Sequence, residues 1–151
     1  MSDLFRKLNL GATDRIVVLD APPGFEAELA RLDGVTVLRA APKSGEVAFA
    51  LAFVTRLAQV EAAAAALAPR MPGDPVLWFA YPKATSKRHR CEFNRDTGWA
   101  ALGAAGFEAV RQVAIDEDWS ALRFRRVEQI KTLRRAPQRA VSAEGKARTR
   151  R

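Results

Sequence analysis

Hydrophobic positions along the chain fall into two patterns. Val47 to Val54, V-A-F-A-L-A-F-V, and Val76 to Tyr81, V-L-W-F-A-Y, are apolar throughout, which predicts strands buried on both faces. R-I-V-V-L-D at residues 15–20 predicts a third such strand, and Val35 to Arg39 a shorter fourth. Between them the apolar residues recur at helical spacing. Leu4, Phe5 and Leu8 mark a short helix that Gly11 can end, Phe25, Leu29 and Leu32 mark a second, and Leu57, Val60, Ala64 and Leu67 mark an alanine-rich third over about 56–68. Further on, the pattern predicts a helix over 96–105 ending at Gly106, a strand over 108–115, and a turn at 116–120. In Leu122-Arg123-Phe124-Arg125 apolar and basic residues alternate, as in a half-exposed strand. This last strand is expected to close the sheet antiparallel, its exposed arginines guarding an edge.

Alternating strands and helices imply a single α/β domain over residues 1–130, with helices on both faces of a mostly parallel sheet of about six strands and a C-terminal antiparallel hairpin. One connection constrains the topology. Only residues 40–46 join the second strand to the third, and seven extended residues span at most about 23–25 Å. That is enough to run back along a short strand and step across the first one. The first strand then lies between the second and third, and the order reverses there. Open α/β sheets bind ligands beyond the carboxyl ends of their strands at such a switch point. The crevice is expected to be lined by residues 20–25, 54–56 and the Pro82-Lys83 end of the strand over 76–81.

Composition narrows the picture. The 151 residues are 48% hydrophobic, and no apolar run approaches the roughly 20 residues needed to cross a bilayer. M-S-D-L-F-R-K lacks the apolar stretch of a signal peptide, so a cytoplasmic chain with no membrane partner is expected. Cys91 is the only cysteine, which excludes an intramolecular disulfide and a thiolate metal cluster. The net charge of +8 is not spread evenly. Residues 131–151 hold eight basic side chains, Lys131, Arg134, Arg135, Arg139, Lys146, Arg148, Arg150 and Arg151, against Glu144 alone, whereas residues 1–130 hold 17 basic and 16 acidic ones. With no apolar periodicity, 131–151 reads as a basic disordered tail able to hold nucleic acid without sequence preference.

Candidate chemistry concentrates after the fourth strand, where Pro82 opens a loop reading K-A-T-S-K-R-H-R-C-E-F-N-R-D. Lys83, Lys87, Arg88, Arg90 and Arg95 face only Glu92 and Asp96 in the sequence, which suits a small anionic ligand beside a helix start. Asn94 and Asp96 also have the chemistry of helix caps. His89, between two arginines, reads as an exposed side chain, and Cys91 as a small apolar one. Asp116, Glu117 and Asp118 read as a polar turn rather than a cation site. Trp78 belongs in the core, with Trp99 and Trp119 packing helix and hairpin onto the sheet.

Taken together, L-W-F-A-Y-P-K, N-R-D-T-G-W and V-A-I-D-E-D-W-S-A-L-R-F-R resemble a bacterial domain-of-unknown-function family, number thirty fifty-two in its series. The resemblance covers roughly residues 2–130 and implies a fold and a compartment, not a reaction. The order of elements also resembles a shortened class I methyltransferase, a three-layer Rossmann-like sheet with a final β-hairpin. The enzymes of that class carry a glycine-rich turn after the first strand, an acid at the end of the second and, to hold an amino substrate, an Asn-Pro-Pro-Tyr-type motif after the third. Here the turn is Asp20-Ala21-Pro22-Pro23-Gly24, Arg39 stands at the second position, and Thr55-Arg56 follows the third strand. These three departures count against S-adenosylmethionine, and no cofactor is expected.

The expected function is a binding or interaction module for a small anionic ligand or a protein partner. Its candidate site is Asp20, Pro23, Gly24, Lys83, Arg90, Asn94, Arg95 and Asp96, with no catalytic or metal-binding residue assigned. The alternatives are a divergent S-adenosylmethionine-dependent methyltransferase and a nucleic-acid-associated protein acting through the tail.

Overall fold

The computed structural model describes residues 3–87, 89–91, 93 and 97–130. The expected tail, 131–151, lies outside the described residues, as do Asn94, Arg95 and Asp96. Helix α1 (Asp3–Lys7) precedes strand β1 (Arg15–Leu19), and a tight turn at Pro23–Phe25 leads into α2 (Glu26–Ala30). Strands β2 (Thr36–Leu38) and β3 (Phe49–Phe53) follow with no helix between them. Then come α3 (Leu57–Leu67), β4 (Val76–Pro82), α4 (Ala100–Ala104), β5 (Phe107–Ala114) and β6 (Trp119–Arg126).

The sheet order is β2-β1-β3-β4-β6-β5. β1 pairs parallel with both β2 and β3, so the short link does return the chain across β1, and the switch point lies between β1 and β3. β4 pairs parallel with β3 and antiparallel with β6, and β5 pairs antiparallel with β6.

Every residue of β3 is buried, as its unbroken apolar run requires. Alternate side chains feed two cores. Ile16, Val18, Phe49, Leu51, Trp78 and Ala80 pack with Phe5 and Leu8 from the α1 segment and Phe25 and Leu29 from the α2 segment. On the opposite face, Val17, Ala50, Ala52, Phe79 and Phe124 pack with Val60, Ala64 and Leu67 of α3, Trp99, and Leu102 of α4. Trp78 is wholly buried, and its indole N–H donates to the Leu8 carbonyl at 2.8 Å. Among the described residues, no helix is long and apolar enough to cross a membrane.

Two expectations are corrected. The alternating strand β6 is not an edge. It lies between β4 and β5 and is buried over its first four residues, and β5 forms the edge instead. Its three arginines are half-buried there, each guanidinium meeting a ring, a carboxylate or backbone carbonyls. Arg123 lies over the Trp78 ring, Arg125 pairs with both carboxylate oxygens of Asp74, and Arg126 donates to the Met71 and Ala68 carbonyls. The fourth helix starts at Ala100 rather than near residue 96. Gly98 has φ +92, which L side chains avoid, and a Cβ there would sit 2.5 Å from Cβ of Phe93. The backbone at Gly98 is therefore not helical, and Phe93 packs against it.

Trp78→Phe keeps an aromatic ring but removes the indole N–H and part of the buried volume, leaving the Leu8 carbonyl without this donor in the core. The substitution is expected to cost about 1–3 kcal/mol. Urea unfolding should show a lower midpoint with an unchanged slope.

Candidate functional site

The carboxyl end of β4 lies where Pro82 ends the strand and Lys83 begins the basic loop. The loop is stitched to the β5–β6 turn. The Lys83 N–H donates to the Asp118 carbonyl at 2.7 Å, the Ser86 N–H to the Lys83 carbonyl at 3.0 Å, and the Ser86 hydroxyl to Oδ1 of Asp118 at 2.9 Å. The same hydroxyl accepts the His89 N–H at 3.2 Å. The turn is itself ordered by Asp116, whose Oδ1 accepts the N–H groups of Asp118 and Trp119, both at 2.8 Å. This is the polar turn that its three acids predict, and Asp118 also anchors the basic loop. Among the described residues, no three His, Cys, Asp or Glu side chains group as metal ligands.

Between this loop and the sheet is an open cavity of about 800 Å³. Tyr81, Ser120 and Gln112 contribute to it from the sheet, Ser120 lying opposite Tyr81 in the β4–β6 register. The loop contributes Lys83, Thr85, Ser86, His89, Arg90 and Phe93. Tyr81 and Phe93 both pack on Trp99, with ring centroids 5.7 and 4.9 Å away, so the apolar wall is held from behind. The site therefore combines an aromatic wall, three basic side chains and several hydroxyls. Cys91 also lines it, half-buried. His89 is not the exposed side chain expected from its arginine neighbours. It is half-buried, its ring 4.9 Å from that of Trp119.

Of the sequence-predicted site residues, the structure brings Lys83 and Arg90 together in this cavity. Asp20, Pro23 and Gly24 do not line it and lie at the end of β1. Asn94, Arg95 and Asp96 lie outside the described residues. Gln112 and Ser120 were missed. Strand register alone carries them to the site, and neither sits in a motif.

At the switch point, exposed Asp20 adopts φ 55, a left-handed conformation that a short polar side chain tolerates, and so turns the chain sharply out of β1. The Pro23–Phe25 turn follows, its last N–H donated to the Pro22 carbonyl at 2.9 Å. Arg39, just past β2, makes a bidentate ion pair with Glu26 at the start of α2, at 2.7 and 2.8 Å. The guanidinium hydrogen bonds hold the Glu26 carboxyl below its ordinary 4.5.

No protein-family model matches the chain, and no curated protein matches it. Among solved structures it is similar to the N-methyltransferase NodS from Bradyrhizobium japonicum WM9. The TM-score is 0.50 at 14% identity, over 82% of this chain and 92% of that one. It is also similar, at a TM-score of 0.45 and 16% identity, to the magnesium protoporphyrin IX methyltransferase of Synechocystis PCC 6803, over 82% of this chain and 74% of that one. The first likeness and the sheet order together make this a methyltransferase-like Rossmann fold with an antiparallel C-terminal pair.

A group with a depressed carboxyl pKa adds stability above its unfolded value and loses it as pH falls through the folded one. The Glu26–Arg39 pair should therefore stabilise the domain at neutral pH and stop doing so in acid. Comparing thermal midpoints of the native chain and Arg39→Ala should give a small gap at pH 7 that closes below about pH 4. Both groups are solvent-exposed, so the gap should also shrink in high salt.

Proposed function

We propose that this chain is a ligand-binding domain of the methyltransferase-like class that holds a small anion in the cavity beyond β4. The observation that supports it is the convergence of Lys83, His89 and Arg90, with the Thr85 and Ser86 hydroxyls, on one cavity backed by Tyr81 and Phe93. Such a site offers charge-assisted hydrogen bonds to an oxyanion and apolar contact to the rest of the molecule. A bacterial, cytoplasmic protein of the domain-of-unknown-function family resembled at L-W-F-A-Y-P-K is part of the same proposal. So is a protein partner as the alternative occupant.

Isothermal titration with inorganic pyrophosphate and citrate tests it. Saturable binding is expected, weakened about tenfold or more in Lys83→Ala/Arg90→Ala, since a hydrogen bond to a charged group contributes about 1.5–3 kcal/mol. Absence of binding by the native chain, or unchanged affinity in the folded variant, would count against the site.

Methyl transfer from S-adenosylmethionine is the second reading. The likeness in fold to an N-methyltransferase over 92% of that chain supports it better than it supports a domain without chemistry. The residues at the switch point do not fit the cofactor as they stand. Pro22 and Pro23 have no N–H to donate, the Phe25 N–H is spent on Pro22, and both oxygens of Glu26 are held by Arg39. A titration with S-adenosylhomocysteine decides between the readings. Micromolar binding lost in Asp20→Ala would favour methyl transfer, and no heat from a folded protein would leave methyl transfer without support.

A further inference from the structure

The β5–β6 hairpin carries four arginines, and they are satisfied unequally. Arg125 has the carboxylate of Asp74, and Arg126 has two backbone carbonyls and the Phe107 ring at 4.5 Å. Arg111 and Arg123 are different. They stand directly opposite each other across the strands, a placement that costs energy for like charges. Both guanidinium carbons lie over the same Trp78 ring, 5.5 and 5.9 Å from its centroid.

Each donates one hydrogen bond to a neutral acceptor, Arg111 to the Lys7 carbonyl at 3.0 Å and Arg123 to Oδ1 of Asn9 at 3.4 Å. Among the described residues neither has an ion pair, and Nε of Arg123 is buried without a hydrogen-bond partner. Burial, followed by the charge of Arg125, pushes the Arg123 guanidinium below its ordinary value. Covering an indole and capping the end of α1 needs one guanidinium. It does not account for two side by side without an ion pair of their own, with exposed Lys7 next to them.

We infer that Lys7, Arg111 and Arg123 form a face that contacts the phosphate backbone of nucleic acid. Three cations on one face of a chain whose residues 131–151 carry a further +7 suit the many phosphates of a polyanion better than a single small anion. Trp78 is fully buried beneath them and offers no surface for base stacking, so the contact carries no sequence preference. The chain then continues past Ile130 into residues 131–151, whose charges sum to +7 and are of the same sign as this face. This surface is distinct from the cavity beyond β4 and does not rest on the reading given to it.

The test is fluorescence anisotropy of the full chain with a labelled 20-base-pair duplex DNA across a salt series. Each phosphate neutralised contributes about 0.9 to the slope of log affinity against log salt. Lys7→Gln/Arg111→Gln is expected to lower the slope by about 2 with no change between two unrelated sequences. The control Arg15→Gln/Lys43→Gln, in β1 and the β2–β3 link, should leave it unchanged. Both substituted positions on the face are solvent-exposed, and circular dichroism would confirm that the fold is kept. The inference is overturned if the native chain does not bind, if the face variant keeps the native slope, or if the control lowers it equally. Displacement of the duplex by micromolar pyrophosphate, lost in the face variant, would identify a discrete anion site instead and overturn the nucleic-acid reading.

Discussion

The pairing of β3 with β4 is the constraint on which the rest of the molecule depends. Five consecutive residues of each strand lie in register, from Phe49 opposite Val76 to Phe53 opposite Ala80, and all of them but the half-buried Val76 are buried. Backbone polar groups at that depth must be paired, so both strands require partners on their outer edges as well. β1 and β6 supply them. Apolar side chains that emerge alternately above and below must also be covered, which places α1 and α2 on one face and α3 and α4 on the other. Irregular backbone becomes tolerable only where the paired region ends. The switch-point turn after β1 and the cavity loop after β4 both lie at that end.

Where the chain leaves the ladder, local polar chemistry takes over from burial. Gln59 turns back so that its side-chain oxygen accepts the Thr55 and Arg56 N–H groups, starting α3 directly after β3. Ser86 and Asp118 do the equivalent for the loop after β4, tying a segment with no regular structure to a hairpin more than 30 residues later in the chain. The wall of the cavity is thereby fixed to its floor by hydrogen bonds, and Phe53, Trp119 and His89 continue the link as ring contacts of 5.1 and 4.9 Å. A ligand that reorients His89 would be felt at Trp119 and, through it, at the end of β3.

The interior of this fold was legible in the sequence because it follows from periodicity alone. The unbroken runs at 47–54 and 76–81 could only be central strands, and the short link after Arg39 was enough to place β1 between β2 and β3. The expectation for β6 failed for a physical reason. Alternating arginines signal solvent only when nothing nearby can receive a guanidinium, and here Trp78, Asp74 and the carbonyls after α3 do so. Those partners are distant in sequence. The candidate site was half legible for the same reason. Lys83 and Arg90 lie in one loop and could be grouped by adjacency, whereas Gln112 and Ser120 arrive through strand register. The Glu26–Arg39 pair brings a carboxylate from the start of α2 to the end of β2, and no local pattern around Arg39 announces it.

The helix-free link between β2 and β3 has a consequence for how the chain acquires its structure. Three parallel strands, β2, β1 and β3, are completed within the first 53 residues, with only the short α2 crossing from β1 to β2 and no helix between β2 and β3. Their contacts have short sequence separation for a parallel sheet, and loop closure costs them little entropy. The pairing of β4 with β6 has no such advantage, since the loop after β4, α4 and β5 must all lie between them. By the relation between contact order and rate, the half of the sheet that holds the switch point would be the early-forming half. The half that holds the cavity would be the last to close.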